Sequence, residues 1–296
     1  MENKKTVKSA LSWAKTRLQH LGLDESQASA EVLLARTTGL ERFKLPLFAE
    51  RKLKDEELEL FTECIERRTR FEPVAYIIGE KEFFGKPFKI GKGCLIPRPE
   101  TETLIEIILG LSLPKNPKDR YLDICTGCGI IALILADRFP GTFFAGDISY
   151  DALIWAKRNE QGCKRKIHWF CGDLFSCLKP DSLKSDGQNS LAFRFIVANP
   201  PYLSDKELEL AQKDISAFEP RIALVSEEDG EQLTRLIIRE AKQYLEPGGY
   251  LLIEGNPRLN SGLLAFGTEQ DYLYAEILPD LGNQGRFLLF QKNFIN

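Results

Sequence analysis

Apolar residues in the first 70 positions recur at the three- and four-residue spacing of amphipathic helices. The first such run carries Val7, Ala10, Leu11, Ala14 and Leu18. A second run ends at Gly39, and a third extends over about residues 55–70. No residue pattern in this region points to chemistry. The sequence therefore predicts a small N-terminal helical domain over residues 1–71, of the kind that could hold a partner.

Residues 72–97 differ from the helical region that precedes them. Short aromatic and β-branched runs are separated by Gly79, Gly85 and Gly91. Such runs broken by glycines are typical of a hairpin. We expect this segment to form a β-hairpin linker between two domains.

From residue 98 onwards, candidate helices and strands alternate. A helix is expected at 99–111, followed by strands at 121–125, 142–147, 167–171, 194–198, 249–254, 273–278 and 287–291, and by helices at 129–138, 149–159 and 230–245. This alternation predicts an α/β fold with a mostly parallel, doubly wound sheet over residues 98–296. The last two strands leave no room for a crossover helix, so they should form an antiparallel hairpin at the sheet edge.

The composition sets limits on location and partners. The 296 residues carry a net charge of −3, and no run reaches the roughly 18 apolar residues of a membrane span. The N-terminus is too polar for a secretory signal, and an acidic chain is unlike a tight nucleic-acid binder. Seven cysteines, an odd number, suit a reducing compartment. We expect a cytoplasmic protein with no membrane association and no stable nucleic-acid partner.

Residues 123–129 (DICTGCG) follow an apolar strand and open a helix, as a ligand-binding loop does. Gly127 and Gly129 would let the backbone approach a ligand closely. Cys125 and Cys128 also form a CxxC pattern that could serve zinc or redox chemistry. The second half of a zinc pattern is missing, so we expect no metal and assign both cysteines, with Thr126, to a cofactor loop.

Acidic residues near this loop suggest which cofactor it takes. Asp147 ends the next strand, where an acid in dinucleotide-type folds binds ribose hydroxyls; a helix cap near Ser149 is the alternative. The loop could serve NAD or S-adenosyl-L-methionine. Asp123 could hold the ammonium group of S-adenosyl-L-methionine, whereas it would repel a pyrophosphate. Asp173 lies in a later turn that could receive adenine, although it could equally be an ordinary turn residue.

The tetrapeptide Asn199-Pro200-Pro201-Tyr202 follows the strand at 194–198, at the edge of the sheet where open α/β folds bind ligands. An amide or exocyclic amine nitrogen is a weak nucleophile, so its lone pair must be aimed at the methyl donor. The Asn199 side-chain oxygen and the Pro200 carbonyl could accept its two N–H groups, and both prolines would keep these acceptors in place. Tyr202 would offer a flat face to a planar amide or base. The alternative is a proline-rich turn with a packed tyrosine.

Residues 123–129, Asp147 and residues 199–202 together resemble class I methyltransferases that act on planar nitrogens. The sequence is similar over nearly its whole length to the release factor glutamine methyltransferases. The segments that carry this similarity are 72–79, 83–85, 96–102, 219–220, 229–230, 280–282 and 285–286.

The resemblance implies a helical N-terminal domain, a hairpin linker and a Rossmann-like, seven-stranded methyltransferase domain. It implies S-adenosyl-L-methionine as cofactor and, as substrate, the glutamine of the Gly-Gly-Gln motif of class 1 peptide chain release factors. By position, cofactor contacts fall on residues 125–129, Asp147, Leu174 and Asn199, and substrate contacts on residues 199–202. We expect a monomer. Two alternatives remain open, namely a methyltransferase of nucleic-acid bases and a non-enzymatic cofactor-binding protein.

Overall fold

The structure is a computed structural model that describes residues 6–21, 25–111, 113, 116–161, 163–178 and 192–294. The chain divides into two compact units. The first contains Met1–Glu80 and Gln212–Phe218, and the second contains Lys81–Ala211 and Glu219–Asn296. Among the described residues, no helix has the length and apolar character needed to cross a bilayer.

The α-helices, in chain order, are α1 (Val7–Gln19), α2 (Ser26–Thr38), α3 (Asp55–Thr69), α4 (Val74–Ile78), α5 (Glu100–Gly110), α6 (Ile130–Ala136), α7 (Tyr150–Asn159), α8 (Asp205–Leu210), α9 (Lys213–Phe218), α10 (Gln232–Tyr244) and α11 (Asn260–Glu269). The strands are β1 (Glu80–Phe83), β2 (Lys86–Lys89), β3 (Arg120–Ile124), β4 (Thr142–Asp147), β5 (Ile167–Cys171), β6 (Phe193–Ala198), β7 (Leu245–Glu254), β8 (Tyr274–Pro279) and β9 (Gly285–Gln291). Short 3₁₀ helices lie at Arg42–Phe48, Arg221–Ala223 and Glu228–Gly230.

The first unit packs α1, α2 and α3 around a common apolar core. The α1 positions predicted to face inward are buried at Val7, Ala10, Ala14 and Leu18. They meet apolar residues of α2 and α3 in one cluster. Thr6 caps α1, because its side-chain oxygen accepts the backbone N–H of Ser9. The helical character predicted for this region is thus confirmed for α1, α2 and α3.

One buried ion pair ties α9 into the first unit. Arg68 is 5% exposed, and its Nη2 donates to Asp214 Oδ2 at 3.1 Å. Its Nη1 donates to the Glu72 carbonyl at 3.1 Å. A buried guanidinium needs such partners because its desolvation is costly. The segment Gln212–Phe218 is therefore held as part of this unit, although it lies more than a hundred residues further along the chain.

Residues 72–97 differ in part from the hairpin expected there. The hairpin exists, but only between β1 and β2. Val74–Ile78 is a single helical turn instead of a strand. Pro73 precedes it with φ −58°, which suits a helix start, and Gly79 ends it in the left-handed region with φ 77°. A five-residue apolar run fits either structure, so these flanking residues decide.

The second unit contains a seven-stranded sheet in the order β5-β4-β3-β6-β7-β9-β8. The five strands from β5 to β7 are parallel, and β9 runs antiparallel to both β7 and β8. The predicted α/β sheet and its antiparallel edge hairpin are confirmed. The helices α8, α9 and α11 were not predicted. Because the parallel strands end at one edge, the loops after β3, β4, β5 and β6 lie together.

Candidate active site

A cavity of about 220 Å³ lies at the carboxyl edge of the parallel strands in the second unit. The predicted site residues that line it are Cys125, Thr126, Gly127, Cys128, Asp147, Asp173, Leu174, Asn199 and Pro201. Those that do not line it are Asp123, Gly129, Pro200 and Tyr202. The structure thus brings most of the predicted residues together around one space, and the roles assigned to them stay predictions.

The loop after β3 is shaped by positive backbone φ angles. Cys125 has φ 58°, Gly127 has φ 56° and Gly129 has φ 82°. Gly129 is the N-cap of α6, and a Cβ added there would lie 2.6 Å from the Trp169 ring. A glycine is therefore required for the helix to approach β5 this closely. Because Cys125 is not a glycine, its positive φ stores backbone strain of the kind that binding sites often contain.

Asp147 closes this loop from the end of β4. Its Oδ2 accepts the Gly127 N–H and its Oδ1 accepts the Ser149 N–H, both at 2.8 Å. Burial raises the pKa of this carboxyl, while the backbone donors act in the opposite direction. A carboxylate has about four acceptor positions, so these backbone bonds still leave room for a ligand hydroxyl. Ser149 caps α7 with its own side chain, which accepts the Ala152 N–H, so the helix cap considered as the alternative role of Asp147 is supplied by Ser149.

Asp123 lies beneath the loop instead of at the cavity wall. Its Oδ2 accepts the Thr126 hydroxyl at 2.6 Å and the Ala132 N–H at 3.1 Å. Within the described part of the chain, its buried Oδ1 has no hydrogen-bond partner. Burial raises the pKa of Asp123 to about 7. In this geometry Asp123 joins the loop to α6, and its contact with a cofactor ammonium stays a prediction.

The turn after β5 forms another wall of the cavity. The Gly172 N–H donates to the Asp147 carbonyl at 3.0 Å, which ties the turn to β4. Asp173 is exposed, whereas Leu174 is buried with φ 44°. The wall therefore combines an accessible carboxylate with aliphatic groups, as suits a heterocycle that carries polar edges.

The tetrapeptide after β6 places one side chain against a buried network. Asn199 Nδ2 donates to Thr101 Oγ1 at 3.2 Å, which leaves Asn199 Oδ1 as an acceptor. The chain beyond it is fixed, because the Leu203 N–H donates to the Leu224 carbonyl at 2.9 Å and the Ser226 N–H donates to the Leu203 carbonyl at 3.0 Å. Burial raises the pKa of Tyr202 to about 12, so its phenol stays protonated.

Comparison with known proteins places this site in a family. The chain matches the PrmC N-terminal domain over residues 9–79 and the methyltransferase small domain over residues 106–217. A release factor glutamine methyltransferase of Nitratidesulfovibrio vulgaris is 35% identical, over 98% of this chain and 96% of its own. One from Koribacter versatilis is 35% identical, over 97% of this chain and 99% of its own.

The chain belongs to the release factor glutamine methyltransferase family. A solved methyltransferase from Pyrococcus furiosus shares the fold of this family member, with a TM-score of 0.51 and 17% identity over 78% of this chain and 99% of that one. The seven-stranded sheet is accordingly that of class I methyltransferases.

Sequence reasoning gave no role to several residues of this family member's site. Glu219 is buried and accepts the Ile96 N–H at 2.9 Å and Arg98 Nη2 at 2.6 Å. Arg98 and Thr101 both line the cavity. The segments 96–102 and 219–220 were noted only for their resemblance to the family, and their contacts depend on the fold.

The two loop cysteines lie in the cavity wall as free thiols. Burial raises the pKa of Cys125 well above its ordinary value, so its thiol stays neutral. Over the described residues, no group of three or more histidine, cysteine or acidic side chains is placed to hold a metal ion. In this family member, the CxxC pattern belongs to the cavity wall.

Proposed function

We propose that the protein transfers a methyl group from S-adenosyl-L-methionine to a glutamine side-chain amide nitrogen. The substrate is the glutamine of the Gly-Gly-Gln motif in class 1 peptide chain release factors. The single observation that carries this proposal is the orientation of Asn199. Its Nδ2 is taken up by Thr101, so Oδ1 is left as an acceptor in a cavity that Asp147 also lines.

The residues present fit S-adenosyl-L-methionine. Asp147 retains acceptor positions for the ribose hydroxyls, while Asp173 and the aliphatic Leu174 offer an edge and a face to adenine. Residues 125–128 of the loop line the remaining space, and Asp123 supports that loop from below. The cofactor supplies an electrophilic methyl group on a sulfonium.

The substrate side of the proposal follows from amide chemistry. An amide nitrogen has a delocalised lone pair, so rate depends on orientation and on stabilising the charge that develops there. Asn199 Oδ1 accepts one N–H of the glutamine amide and the Pro200 carbonyl accepts the other. Pro200 and Pro201 stiffen this segment, and Tyr202 flanks the planar amide.

The proposal also assigns a role to each domain, an oligomeric state and a cellular location. We assign substrate docking to the helical domain at 1–71, a linker role to 72–97 and catalysis to 98–296. The protein acts as a monomer without stably bound nucleic acid. It works in the cytoplasm, because its proposed substrate acts in translation termination.

Methyl transfer from labelled S-adenosyl-L-methionine tests the proposal, with unmethylated release factor and adenine-containing DNA offered in parallel. Label mapped to the Gly-Gly-Gln glutamine is the expected result. Label on DNA alone would replace the substrate with a nucleic-acid base. Label on neither substrate, with cofactor binding intact, would favour a non-enzymatic protein.

Asn199→Ala tests the acceptor directly. We expect kcat to fall roughly 100-fold or more, because a polar group aimed at the reacting centre is lost. Calorimetry should show cofactor affinity within about threefold of the unchanged protein. Asn116→Ala, at an exposed asparagine, serves as the matched control. Unchanged turnover in Asn199→Ala would remove its assigned role.

A further inference from the structure

A directed chain of hydrogen bonds runs from the candidate acceptor into the protein interior. Asn199 Nδ2 donates to Thr101 Oγ1 at 3.2 Å, and Thr101 Oγ1 donates to Glu254 Oε2 at 2.8 Å. Thr101 is 1% exposed and Glu254 is 0% exposed. The function proposed above uses only Asn199, the first residue in this series of hydrogen bonds.

The direction of this chain follows from the single proton of a hydroxyl group. While Glu254 is a carboxylate it can only accept, so the Thr101 proton points to it. Thr101 Oγ1 then offers a lone pair to Asn199, and the asparagine must present its Nδ2 there. Oδ1 consequently faces the cavity.

Protonation of Glu254 allows the reverse arrangement. A carboxylic acid can donate to Thr101 Oγ1, and the hydroxyl proton is then free to point at Asn199. The asparagine amide can accept that proton only after it turns over, which places Nδ2 towards the cavity. A donor in that position opposes the N–H groups of an amide substrate.

We propose that Glu254, acting through Thr101, is a positioning residue that keeps Asn199 Oδ1 turned towards the substrate amide. This inference rests on the function proposed above, because it concerns the acceptor used in that reaction. It adds a pH-dependent element, since the carboxylate form aligns the acceptor and the acid form releases it.

The surroundings of Glu254 make this change accessible near neutral pH. Its Oε1 is buried and, as far as the described residues extend, has no hydrogen-bond partner. Burial raises the pKa of Glu254 to about 7, and the Thr101 hydrogen bond acts in the opposite direction. The charged or titratable groups that face it are Arg286 of β9, Arg98 before α5, Glu100 of α5 and Tyr202 after β6.

Thr101→Val, Thr101→Ser and Glu254→Gln test the proposal in the full-length protein with release factor as substrate. In the unchanged protein, kcat should rise with pH through about 7. Thr101→Val should lower kcat roughly 10- to 100-fold, because an acceptor without fixed orientation is misplaced. Its KM and cofactor affinity should stay within about threefold. Thr101→Ser should restore most of the rate, since the hydroxyl is kept.

Glu254→Gln isolates the role of the charge. An amide can donate or accept, so it no longer fixes the direction of the chain. We expect a lower kcat and loss of the rise near pH 7. A retained rise in Glu254→Gln, or an unchanged kcat in Thr101→Val, would overturn the proposal.

A readout that does not depend on activity separates this proposal from the function on which it rests. Carbon-13 NMR of the glutamate carboxyls follows the titration of Glu254 directly. In Thr101→Val its pKa should rise, because a donor to the ionised form is lost. An unchanged pKa would overturn the hydrogen-bonded link. Failure of the unchanged protein to methylate release factor, with this pKa change present, would instead contradict the proposed function.

Discussion

The buried carboxyl of Asp123 should make the second unit less stable as the pH rises. Asp123→Asn is the informative change, because the asparagine oxygen can still accept from Thr126 and from the Ala132 N–H. The amide group then occupies the place of Oδ1, to which none of the described residues donates a hydrogen bond. The variant keeps the local shape and removes the ionisation.

The sign follows from proton binding in the two states. Burial raises the pKa of Asp123 from 3.8 to about 7 in the folded protein. Between these values the folded state holds a proton that the unfolded state has lost, so stability falls as pH rises. The whole interval corresponds to about 4 kcal/mol, at roughly 1.4 kcal/mol per tenfold change in proton affinity. Between about pH 5 and pH 8, about 3 kcal/mol of this loss should appear.

Urea unfolding at both pH values, followed by tryptophan fluorescence, measures the effect. Trp155 and Trp169 lie in the same unit as Asp123, and Trp13→Phe removes the signal of the other unit. Over this pH range, the free energy of unfolding should fall by about 3 kcal/mol more in the protein with Asp123 than in the Asp123→Asn variant. Asp271→Asn, at a side chain that is 89% exposed, is the control and should follow the unchanged protein. Equal losses with Asp123 and with Asn at this position would refute the reasoning.

Two further predictions use matched pairs of substitutions. Gly129→Ala should weaken cofactor binding and cost about 1–3 kcal/mol of stability, because φ 82° and a neighbouring ring oppose a Cβ. Gly262→Ala, in an open helical position, should be neutral or stabilising by up to about 1 kcal/mol. Calorimetry measures cofactor affinity and thermal unfolding measures stability in both variants. Equal effects of the two substitutions would contradict this explanation. Arg68→Ala should destabilise the first unit by about 3 kcal/mol, because it leaves a partly buried carboxylate unpaired. Arg17→Ala removes an exposed ion pair and should cost less than about 1 kcal/mol, measured like Arg68→Ala by urea unfolding with Trp13 retained as the reporter of the first unit.

The parts of the fold that the sequence predicts well depend on local periodicity. The strands expected at 142–147 and 167–171 have the bounds of β4 and β5. Helix α11 was missed because Gly262 and Gly267 interrupt its pattern and Leu259 provides no side-chain cap. Gly267 is explained only by the tertiary structure, since it lies against the Phe290 ring of β9.

The candidate site likewise contains residues that local patterns predict and residues that only the tertiary structure brings together. The loop at 125–129, Asp147 and Asn199 each follow a predicted strand, so their convergence at one sheet edge could be foreseen. The position of Asp123 beneath the loop could not, because it depends on the folded loop and α6, which place the Thr126 hydroxyl and the Ala132 N–H against its carboxyl. Thr101 and Glu254 are 153 residues apart in sequence. No local pattern connects such residues, and only the packing of α5 against β7 brings them together.

The membership of Gln212–Phe218 in the first unit has a consequence for synthesis of the protein. A ribosome makes the chain from its N-terminus, and domains generally fold as their residues emerge. The helices up to α4 emerge early, but Asp214, the partner of buried Arg68, is added only after strands β3 to β6 have been made. The helical unit is therefore completed only after several strands of the other unit have been made, and Arg68 lacks its carboxylate partner until then.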